Sequence, residues 1–521
     1  MTDDLPTAPA GRDRFGQLVH AEWTKFRTVG SWVIGTVVAA VVLVGLSVLS
    51  AEGSKAMTCT NGKCTIGGPS NPIGPGGEPV VDTYFFVHRT LDGNGSLTVE
   101  VTSLAGQVLG GAGNPVVSQS GGQTVLHLSA SGLQPWSKAG LILEPGMRQG
   151  VPYAAVMLTG SHGVRMQYDY THDIAGLPGT ASPASPRWLR LTRVGDAVTA
   201  YDSADGRLWD AVGATTLPLT AEVEVGMFVT SPNHTQQKQH VGSLNGSANP
   251  TLAQARFAEA ALTGRWLPAP WTGTSVQGPI GIFYTLGPTV VNQGQYRSNS
   301  GTFVLRGSGD IAPASLGVND STETGLVGSF LGLIVMIILA TLFITSEYRR
   351  GLIHTTMTAS PRRGRVLAAK AVVIGAVMFV TTAIAVAVAL PLFNHVWRSN
   401  GNQVFPISSA TELRVILGTA LLLALCSILT LAVGTVLRRS AGAVTAVIVI
   451  VILPFILSRA AVLPAGISEW VLRLTPAAAF AVQQTIPVYS QVAGFYTPAQ
   501  GYFPLAPLAG LGVLCLYCAV A

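Results

Sequence analysis

The chain has 521 residues, of which 48% are hydrophobic and only 11% are charged. Soluble domains carry about 25% charged residues, so this composition excludes a disordered chain and argues against a cytosolic enzyme. The formal net charge of +6 comes without a basic stripe interleaved with aromatic residues, so no nucleic-acid partner is expected. The composition indicates a membrane protein.

The N-terminal part predicts a short cytoplasmic amphipathic segment at 1–31 and a first membrane-spanning helix at 32–51. The apolar run WVIGTVVAAVVLVGLSVL begins at residue 32 and has about the length that a spanning helix needs. It starts too late and is too long for the core of a usual signal peptide. We therefore expect it to be retained as a membrane span.

The long segment 52–324 has no comparable apolar run and predicts an all-β domain. It contains short, partly alternating runs that turn residues separate, as in a sandwich. The runs lie at 95–104, 123–131, 138–145, 153–161, 163–170, 187–213, 221–231 and 301–315. Over roughly 80–265 their order, with AGLILEPG, WLRLTRVGDAVTAYDSADGRLW, VEVGMFVTS and ARFAEAALTG, resembles laminin-G/concanavalin-like jelly-roll modules. That resemblance implies a glycan as a ligand of the insert and a distant relation to glucanases.

A glycosidase would need two carboxylates that flank the scissile bond, and the insert offers no defined pair. The available carboxylates are interpreted mainly as solvated turn residues: Asp169, Asp173, Asp202, Asp205 and Asp210. Aromatic side chains in the same segment could stack on sugars or fill the sandwich core. These are Trp136, Trp188, Tyr201 and Trp209.

Apolar runs then recur at 326–344, 371–393, 415–437, 441–457 and 505–521. Together with the first run they predict an α-helical polytopic membrane protein with six transmembrane helices and one inserted all-β extracellular sandwich domain. With the N-terminus inside, the inner segments hold twelve Lys and Arg and the short outer connections hold four. The positive-inside rule therefore predicts a multi-pass plasma-membrane protein with a cytoplasmic N-terminus. The last run lacks a basic residue after it, so we expect the natural chain to continue beyond Ala521.

No ionisable residue lies in the core of a predicted span, which argues against a proton-driven carrier. The pattern GxxxxGK[ST] is absent, so this chain is not expected to hydrolyse ATP or to carry a cofactor. No zinc-ligand spacing occurs, and no metal site is predicted.

The five cysteines fall into two groups. Cys59 and Cys64 lie in the polar loop CTNGKC, and on an oxidising outer side they could form a disulfide. Cys426, Cys515 and Cys518 lie in apolar runs and are interpreted as small buried hydrophobic residues.

The segment SEYRRGLIHTTMTASPRRGRVLAAK, at 346–370, predicts a short amphipathic helix on the inner face. A generic positive-inside loop with an interfacial helix would give a similar pattern. Its E-Y-R-x-G…P-R-R-x-R…A-K pattern resembles the first cytoplasmic loop of type-2 ABC exporter permeases of actinobacterial kind. HAEWTKFRT (20–28) and ISEWVLRLTPAAAFAVQQ (467–484) resemble the lead-in helix and the segment before the last span of that family.

This resemblance covers about 14–51 and 325–521 and implies a separate ATP-binding subunit that carries ATP and Mg²⁺. It also implies a second permease subunit, identical or related. The helix after Glu347 would act as a coupling helix, and Glu347 would pair with Arg27, Arg350 or the partner. The positions that correspond to the loop are Glu347, Gly351, Leu352, Ile353, Met357, Pro361, Arg363 and Lys370.

The sequence thus predicts the transport subunit of an ABC exporter in the lipid bilayer, not an enzyme. The alternative is a membrane-anchored extracellular glycan-binding or sensory protein whose helices only anchor it. Six spans and an ordered inner loop exceed what an anchor needs. The sequence does not identify the transported substrate.

Overall fold

The computed structural model describes most of the chain as one helical region, formed by both ends, and one β region between them. The described residues are 15–55, 57–60, 63–66, 71–109, 116–120, 123–276, 294–314, 321–349, 362–492, 494 and 496–521.

Among the described residues of the helical region, five helices are long and apolar enough to cross a membrane. In chain order the helices are α1 (Phe15–Thr28), α2 (Gly30–Gly53), α3 (Val327–Arg349), α4 (Arg363–Ser399), α5 (Ser409–Leu437), α6 (Ser440–Val447), α7 (Leu453–Arg459), α8 (Ala465–Leu474) and α9 (Pro507–Val520). A π-helical turn, Ile448–Ile452, joins α6 to α7, so the two cross as one span.

These helices confirm a membrane protein with several apolar helices, and five correspond to predicted spans. The sixth predicted span corresponds to α9, which is apolar but has only 14 residues. A helix of that length extends about 21 Å, which is shorter than the hydrocarbon core of a bilayer. The count of six spans therefore remains a prediction.

Glycines allow α2 and α3 to pack closely. A Cβ atom at Gly328 would lie 2.0 Å from the carbonyl oxygen of Leu43, so no larger residue fits there without separating the two helices. Helices in lipid gain little from the hydrophobic effect and associate through such small residues. Leu43 is fully buried in this contact and belongs to the same core cluster as Met336 and Phe343 of α3.

A short 3₁₀ helix, Pro476–Gln483, follows α8 and is buried along its whole length. It packs between α5 and α9, where Gly418 faces Val482 and Gly510 faces Ala478. Pro476 stands at its first turn, where a missing backbone N–H costs no hydrogen bond, and it ends the amphipathic helix α8. The chain thus enters the helical core before α9 begins.

The β region is built from short antiparallel strands around one long strand. The strands are β1 (Met57–Thr60), β2 (Lys63–Ile66), β3 (Val80–Asp82), β4 (Tyr84–Leu109), β5 (Val116–Ser120), β6 (Gln123–Ser131), β7 (Lys138–Glu144), β8 (Ala154–Thr159), β9 (Val164–Tyr168), β10 (His172–Ala175), β11 (Arg187–Val194), β12 (Ala197–Ser203), β13 (Asp210–Thr216), β14 (Glu222–Thr230), β15 (His234–His240), β16 (Ser243–Asn249), β17 (Thr251–Trp266), β18 (Thr272–Val276), β19 (Gln295–Asn299), β20 (Thr302–Gly307) and β21 (Ile311–Pro313).

Fifteen of these strands form one sheet, whose main path runs β10-β9-β8-β7-β14-β4-β11-β12-β13. Residues 85–92 of β4 pair with β14 and residues 95–101 pair with β11, so β4 passes from one half of the sheet to the other. Between them Gly93 has a φ of +76°, a conformation that a side chain would strain. The two halves share one buried apolar cluster, which includes Leu141, Val156, Leu189 and Val198.

The prediction of a large all-β region in the N-terminal half is therefore confirmed. The alternating burial along β11 shows why the sequence favours strands here, because every second residue faces the shared core. The resemblance of the strand order to jelly-roll modules remains a prediction.

Candidate functional site

Four ionisable side chains meet where α1, the end of α3 and the start of α4 come together. Glu22 and Lys25 lie on α1, Glu347 lies near the end of α3, and Lys370 lies two turns into α4. Spacings of three and four residues on a helix share one face, so Glu22 and Phe26 both turn inward from α1. We refer to these four side chains as the ionic cluster.

The ionic cluster is held by four short contacts between two ammonium groups and two carboxylates. The Lys370 Nζ donates to Glu22 Oε2 at 2.7 Å and to Glu347 Oε1 at 2.6 Å. The Lys25 Nζ lies 2.9 Å from Glu22 Oε1 and 3.3 Å from Glu347 Oε1. Each ammonium bridges both carboxylates, so the formal charges of the cluster balance.

Three of the four side chains in the ionic cluster are buried. Lys370 is 1% exposed, Glu22 and Glu347 are buried, and only Lys25 reaches the surface. A buried charge is tolerated when it is paired and hydrogen-bonded, which each of these groups is. The ring of Phe343 lies 5.1 Å from the Lys370 Nζ and adds a cation–π contact.

A row of aromatic rings extends from Phe343, beside the ionic cluster, to the start of α2. Trp32 meets Phe343 edge to face at 5.0 Å between centroids, and Phe26 lies 6.1 Å from Phe343. Such pairs add stabilisation beyond the area that they bury. They fix α1 against the body of the helical region, so α1 cannot rotate without separating the cluster.

Opposing effects act on Lys25, the exposed member of the cluster. Burial alone lowers the pKa of its ammonium group, but hydrogen bonding and attraction to Glu22 and Glu347 outweigh that effect and raise it. Lys25 therefore stays charged at neutral pH. The second oxygen of Glu347, Oε2, is buried and has no hydrogen-bond partner among the described residues.

The structure corrects one predicted contact and leaves others untested. Glu347 pairs with Lys370 and Lys25, and the predicted pair with Arg27 is wrong because Arg27 is exposed. Arg363 is exposed at the first residue of α4, away from the ionic cluster. Arg350 and the predicted coupling residues Gly351, Leu352, Ile353, Met357 and Pro361 lie outside the described residues.

Sequence reasoning singled out Glu347 and Lys370 but missed that Glu22 and Lys25 complete the cluster. A signal was present, because HAEWTKFRT places an acid, a base and an aromatic residue on one helical face. The pairing itself could not be predicted, because it joins residues that are more than 300 positions apart and a local sequence pattern does not show such contacts.

The hairpin of β1 and β2 places Cys59 directly opposite Cys64 in its antiparallel register. Such cross-strand neighbours lie close enough for a disulfide, which remains a prediction. For the other three cysteines the expectation of burial is correct only in part. Cys426 is buried, Cys518 is partly buried, and Cys515 is exposed.

The candidate carboxylates of the β region are not all turn residues. Asp202 lies within β12, is fully buried, and stands 3.5 Å from Arg187, so its interpretation as a solvated turn residue is wrong. The cause is the even alternation of β12, which turns Asp202 inward with Val198 and Ala200. Asp173 lies in β10 and accepts from Arg165.

In two of the predicted sugar-stacking aromatic residues, Trp136 and Trp209, a neighbouring side chain lies over the ring. Trp136 is buried and stacks on His162 at 3.9 Å, and the ring of Trp209 lies under the Arg190 guanidinium at 3.9 Å. Across the described part of the chain no group of three or more His, Cys, Asp and Glu side chains could hold a metal ion.

Among the described residues, the hydrogen bonds between the β region and the helical region lie at the end opposite the ionic cluster. Gln403, in the connection after α4, exchanges two hydrogen bonds with Asn71. Gln239 of β15 donates to Ala461, which follows α7, and Gln491 donates to Tyr170. The two ends of the helices thus carry different structures.

These features define a multi-pass membrane protein with a large β-sheet region attached at one end of its helices. Residues 310–521 match the family model of the ABC-2 family transporter protein. The match supports an ABC-2 type permease, the transport subunit of an ABC transporter, and implies an ATP-binding partner subunit. No curated protein sequence matches the chain.

Three solved structures resemble part of the chain. A functionally unknown protein from Saccharomyces cerevisiae is 15% identical, with 40% of this chain and 92% of that chain covered and a TM-score of 0.22. Scytalido-glutamic peptidase with a transition state analog inhibitor is 9% identical, with 43% and 98% covered and a TM-score of 0.24. The same peptidase with a peptide based transition state analog is 7% identical, with 43% and 98% covered and a TM-score of 0.22.

Proposed function

We propose that this chain is the membrane-spanning permease subunit of an ABC exporter in the plasma membrane. A separate subunit would bind ATP and Mg²⁺ and drive transport from the cytoplasmic face. The observation that carries the proposal is the family match over 310–521, which includes both helices that flank the predicted coupling loop.

The distribution of charge supports the proposed orientation. Arg362, Arg438 and Arg439 lie in connections at the end of the helices that holds the ionic cluster, and Arg363 is the first residue of α4 there. Arg438 approaches the ring of Tyr348, which shows that these connections are neighbours. By the positive-inside rule this end is cytoplasmic, and the β region at the other end is extracellular.

The ionic cluster supports a mechanical role for the loop between α3 and α4. Glu347 lies two residues before the end of α3, and Lys370 lies seven residues after the start of α4. Their ion pair therefore joins the two helices just inside the membrane, and Glu22 adds α1 to the same joint. A force applied to the loop by the partner ATPase would move α1, α3 and α4 together.

In this proposal the loop residues Leu352, Ile353 and Met357 form the apolar face that rests on the ATP-binding subunit. Two permease subunits would enclose the pathway, since ABC transporters of this class work as pairs. The exported substrate would cross between them, and the β region would face the external medium.

The test is co-purification of the partner from native membranes with the variant Ile353→Asp. A carboxylate buried without a partner at a protein interface costs several kcal/mol, so we expect an ATP-binding-cassette subunit to be lost. Wild-type protein should retain that subunit and its ATPase activity, whereas the isolated chain should hydrolyse no ATP.

The matched control is Ile467→Asp, which puts the same charge on an exposed apolar position of α8 at the opposite end. This variant should retain the ATP-binding subunit at the wild-type level. Equal recovery of the ATP-binding subunit with the wild-type protein and both variants would contradict the coupling role of the loop. ATP hydrolysis by the isolated chain would contradict the proposal that a separate subunit hydrolyses ATP.

A further inference from the structure

A cavity of about 440 Å³ opens at the end of the helical region that faces the β region. The helices α3 and α7, the 3₁₀ helix Pro476–Gln483 and Phe503 surround it. This volume lies within the range of sites that bind small molecules. The ionic cluster lies at the other end of α3, so the cavity is a separate site.

Four phenylalanine rings line one part of the cavity wall. Phe455 stacks on Phe480 at 4.2 Å and lies 5.6 Å from Phe330 and 6.4 Å from Phe503. Two further lining residues, Val327 and Ile456, are 51% and 42% exposed, so the apolar lining of the cavity continues to the outside of the helices. The wall and its opening suit an apolar body such as an alkyl chain.

Two charged side chains line the same cavity, and their hydrogen bonding differs. Glu323 is well satisfied, since its Oε1 accepts from the backbone N–H of Thr485 at 2.5 Å and from the Thr485 hydroxyl at 3.3 Å. Arg459 has one long hydrogen bond, 3.5 Å to the carbonyl of Pro498, and forms no ion pair within the described ranges. A guanidinium has five donors and stays charged at any physiological pH.

Among the described residues Arg459 thus makes a single long hydrogen bond, and it lies beside an aromatic chamber, a combination that suits one kind of ligand. We infer that this cavity binds an amphiphile whose anionic head, a carboxylate or a phosphate, contacts Arg459 while its apolar chain lies along the phenylalanine rings. Glu323 opposes a second negative charge in the chamber, which favours a head with a single charge. That such amphiphiles are the exported class rests on the proposed function.

The binding test needs no ATP-binding partner. Purified full-length protein in an uncharged detergent is titrated with 11-(dansylamino)undecanoic acid, and the dansyl fluorescence is followed. The methyl ester of the same probe keeps the chain and removes the charge. Hydrogen bonds to charged groups are the strong ones, so we expect the acid to bind at least about tenfold more tightly than the ester.

Variants assign the preference to Arg459. In Arg459→Gln the advantage of the acid over the ester should disappear, because Glu323 is left as the only charge in the chamber. Arg459→Lys should retain much of the preference, which separates loss of charge from loss of fold. Glu323→Gln should strengthen binding of the acid, and Arg473→Gln, on the nearby helix α8, should change neither affinity.

Equal affinity for the acid and the ester in the wild-type protein would overturn the inference, as would an unchanged preference in Arg459→Gln. Absence of saturable binding by either probe would also overturn it. Because these measurements do not involve ATP, a negative result would not contradict the proposal that a partner subunit hydrolyses ATP. Conversely, if that proposal were contradicted, a measured preference for anionic amphiphiles would still stand.

Discussion

Lys370 provides the sharpest test of the ionic cluster, because it is the most deeply buried charge there. Replacing Lys370 with Met keeps an unbranched apolar side chain that is one atom shorter and removes the ammonium group that bridges Glu22 and Glu347. Breaking a buried ion pair from one side costs about 3–5 kcal/mol. Lys25 still contacts both carboxylates, so we expect a loss near the lower limit, about 3 kcal/mol.

Removing the charges together should have a different effect. In Lys370→Met combined with Glu22→Gln and Glu347→Gln, no buried carboxylate is left without a partner. Replacing a whole buried ionic group is often neutral or stabilising by about 1–4 kcal/mol. The triple variant should therefore be more stable than Lys370→Met, although it carries more substitutions, since the three positions are coupled.

The assay is the loss of monodisperse protein on heating, followed by size-exclusion chromatography of the full chain. For a unit of 150–250 residues 1 kcal/mol corresponds to about 2–4 °C in Tm, so Lys370→Met should lower Tm by about 10 °C. Arg363→Met, an exposed change on the same helix, serves as the control and should leave Tm unchanged. A wild-type Tm for Lys370→Met, or a triple variant less stable than it, would refute the reasoning.

Two further predictions concern the β region. Burial raises the pKa of Asp82 to about 6, so its contribution to stability is complete below about pH 4 and declines by about 3 kcal/mol as the pH rises through 6. Asp82→Asn should flatten the fall in Tm between pH 4 and pH 7, and an unchanged slope would assign the pH dependence to other groups. Cys59 and Cys64 should both resist thiol labelling on intact, unreduced cells, whereas in Cys59→Ser the remaining Cys64 should react. Labelling of both in the wild-type protein would rule out the disulfide, whose loss should change stability little because the loop is short.

The sequence predicts the helices well because a membrane-spanning helix can be recognised from the length and composition of one continuous segment. A span must satisfy its backbone internally over about 20 apolar residues, so length and composition suffice to find α2, α3, α4 and α5. The same rule does not fix their ends. The predicted span at 371–393 corresponds to α4, Arg363–Ser399, because the helix continues into polar residues that hydropathy discards.

In the β region the sequence predicts local strands but not the long strand that organises them. The first half of β4, YFFVHRTLDG, carries Gly and Asp at its end and reads locally as a turn. It remains extended because β14 and β17 pair with it on both sides around residues 91 and 92. Such pairing depends on residues more than 120 positions away, which a local pattern does not contain.

The candidate sites show the same limit. Glu347 and Lys370 were found through the pattern of one loop, yet the buried position of each depends on Glu22, which lies at the other end of the chain. Arg459 was counted only as an outer positive charge, although it lies beside Phe455 and opposite Glu323 in a cavity. A side chain near a helix end can snorkel to water or line a chamber, and only the packing of neighbouring helices decides between them.

The length of α4 links the two ends of the helical region. Its 37 residues extend about 55 Å, from the exposed Arg363 to the connection that holds Gln403. Lys370 fixes its N-terminal part to α1 and α3, and the two hydrogen bonds between Gln403 and Asn71 fix the connection after it to the β region. Pro391 lies inside the helix, near its C-terminal end, where a missing backbone hydrogen bond weakens the helix. A movement of the N-terminal part of α4 would therefore be transmitted toward the β region, with Pro391 as the position where the helix bends most easily.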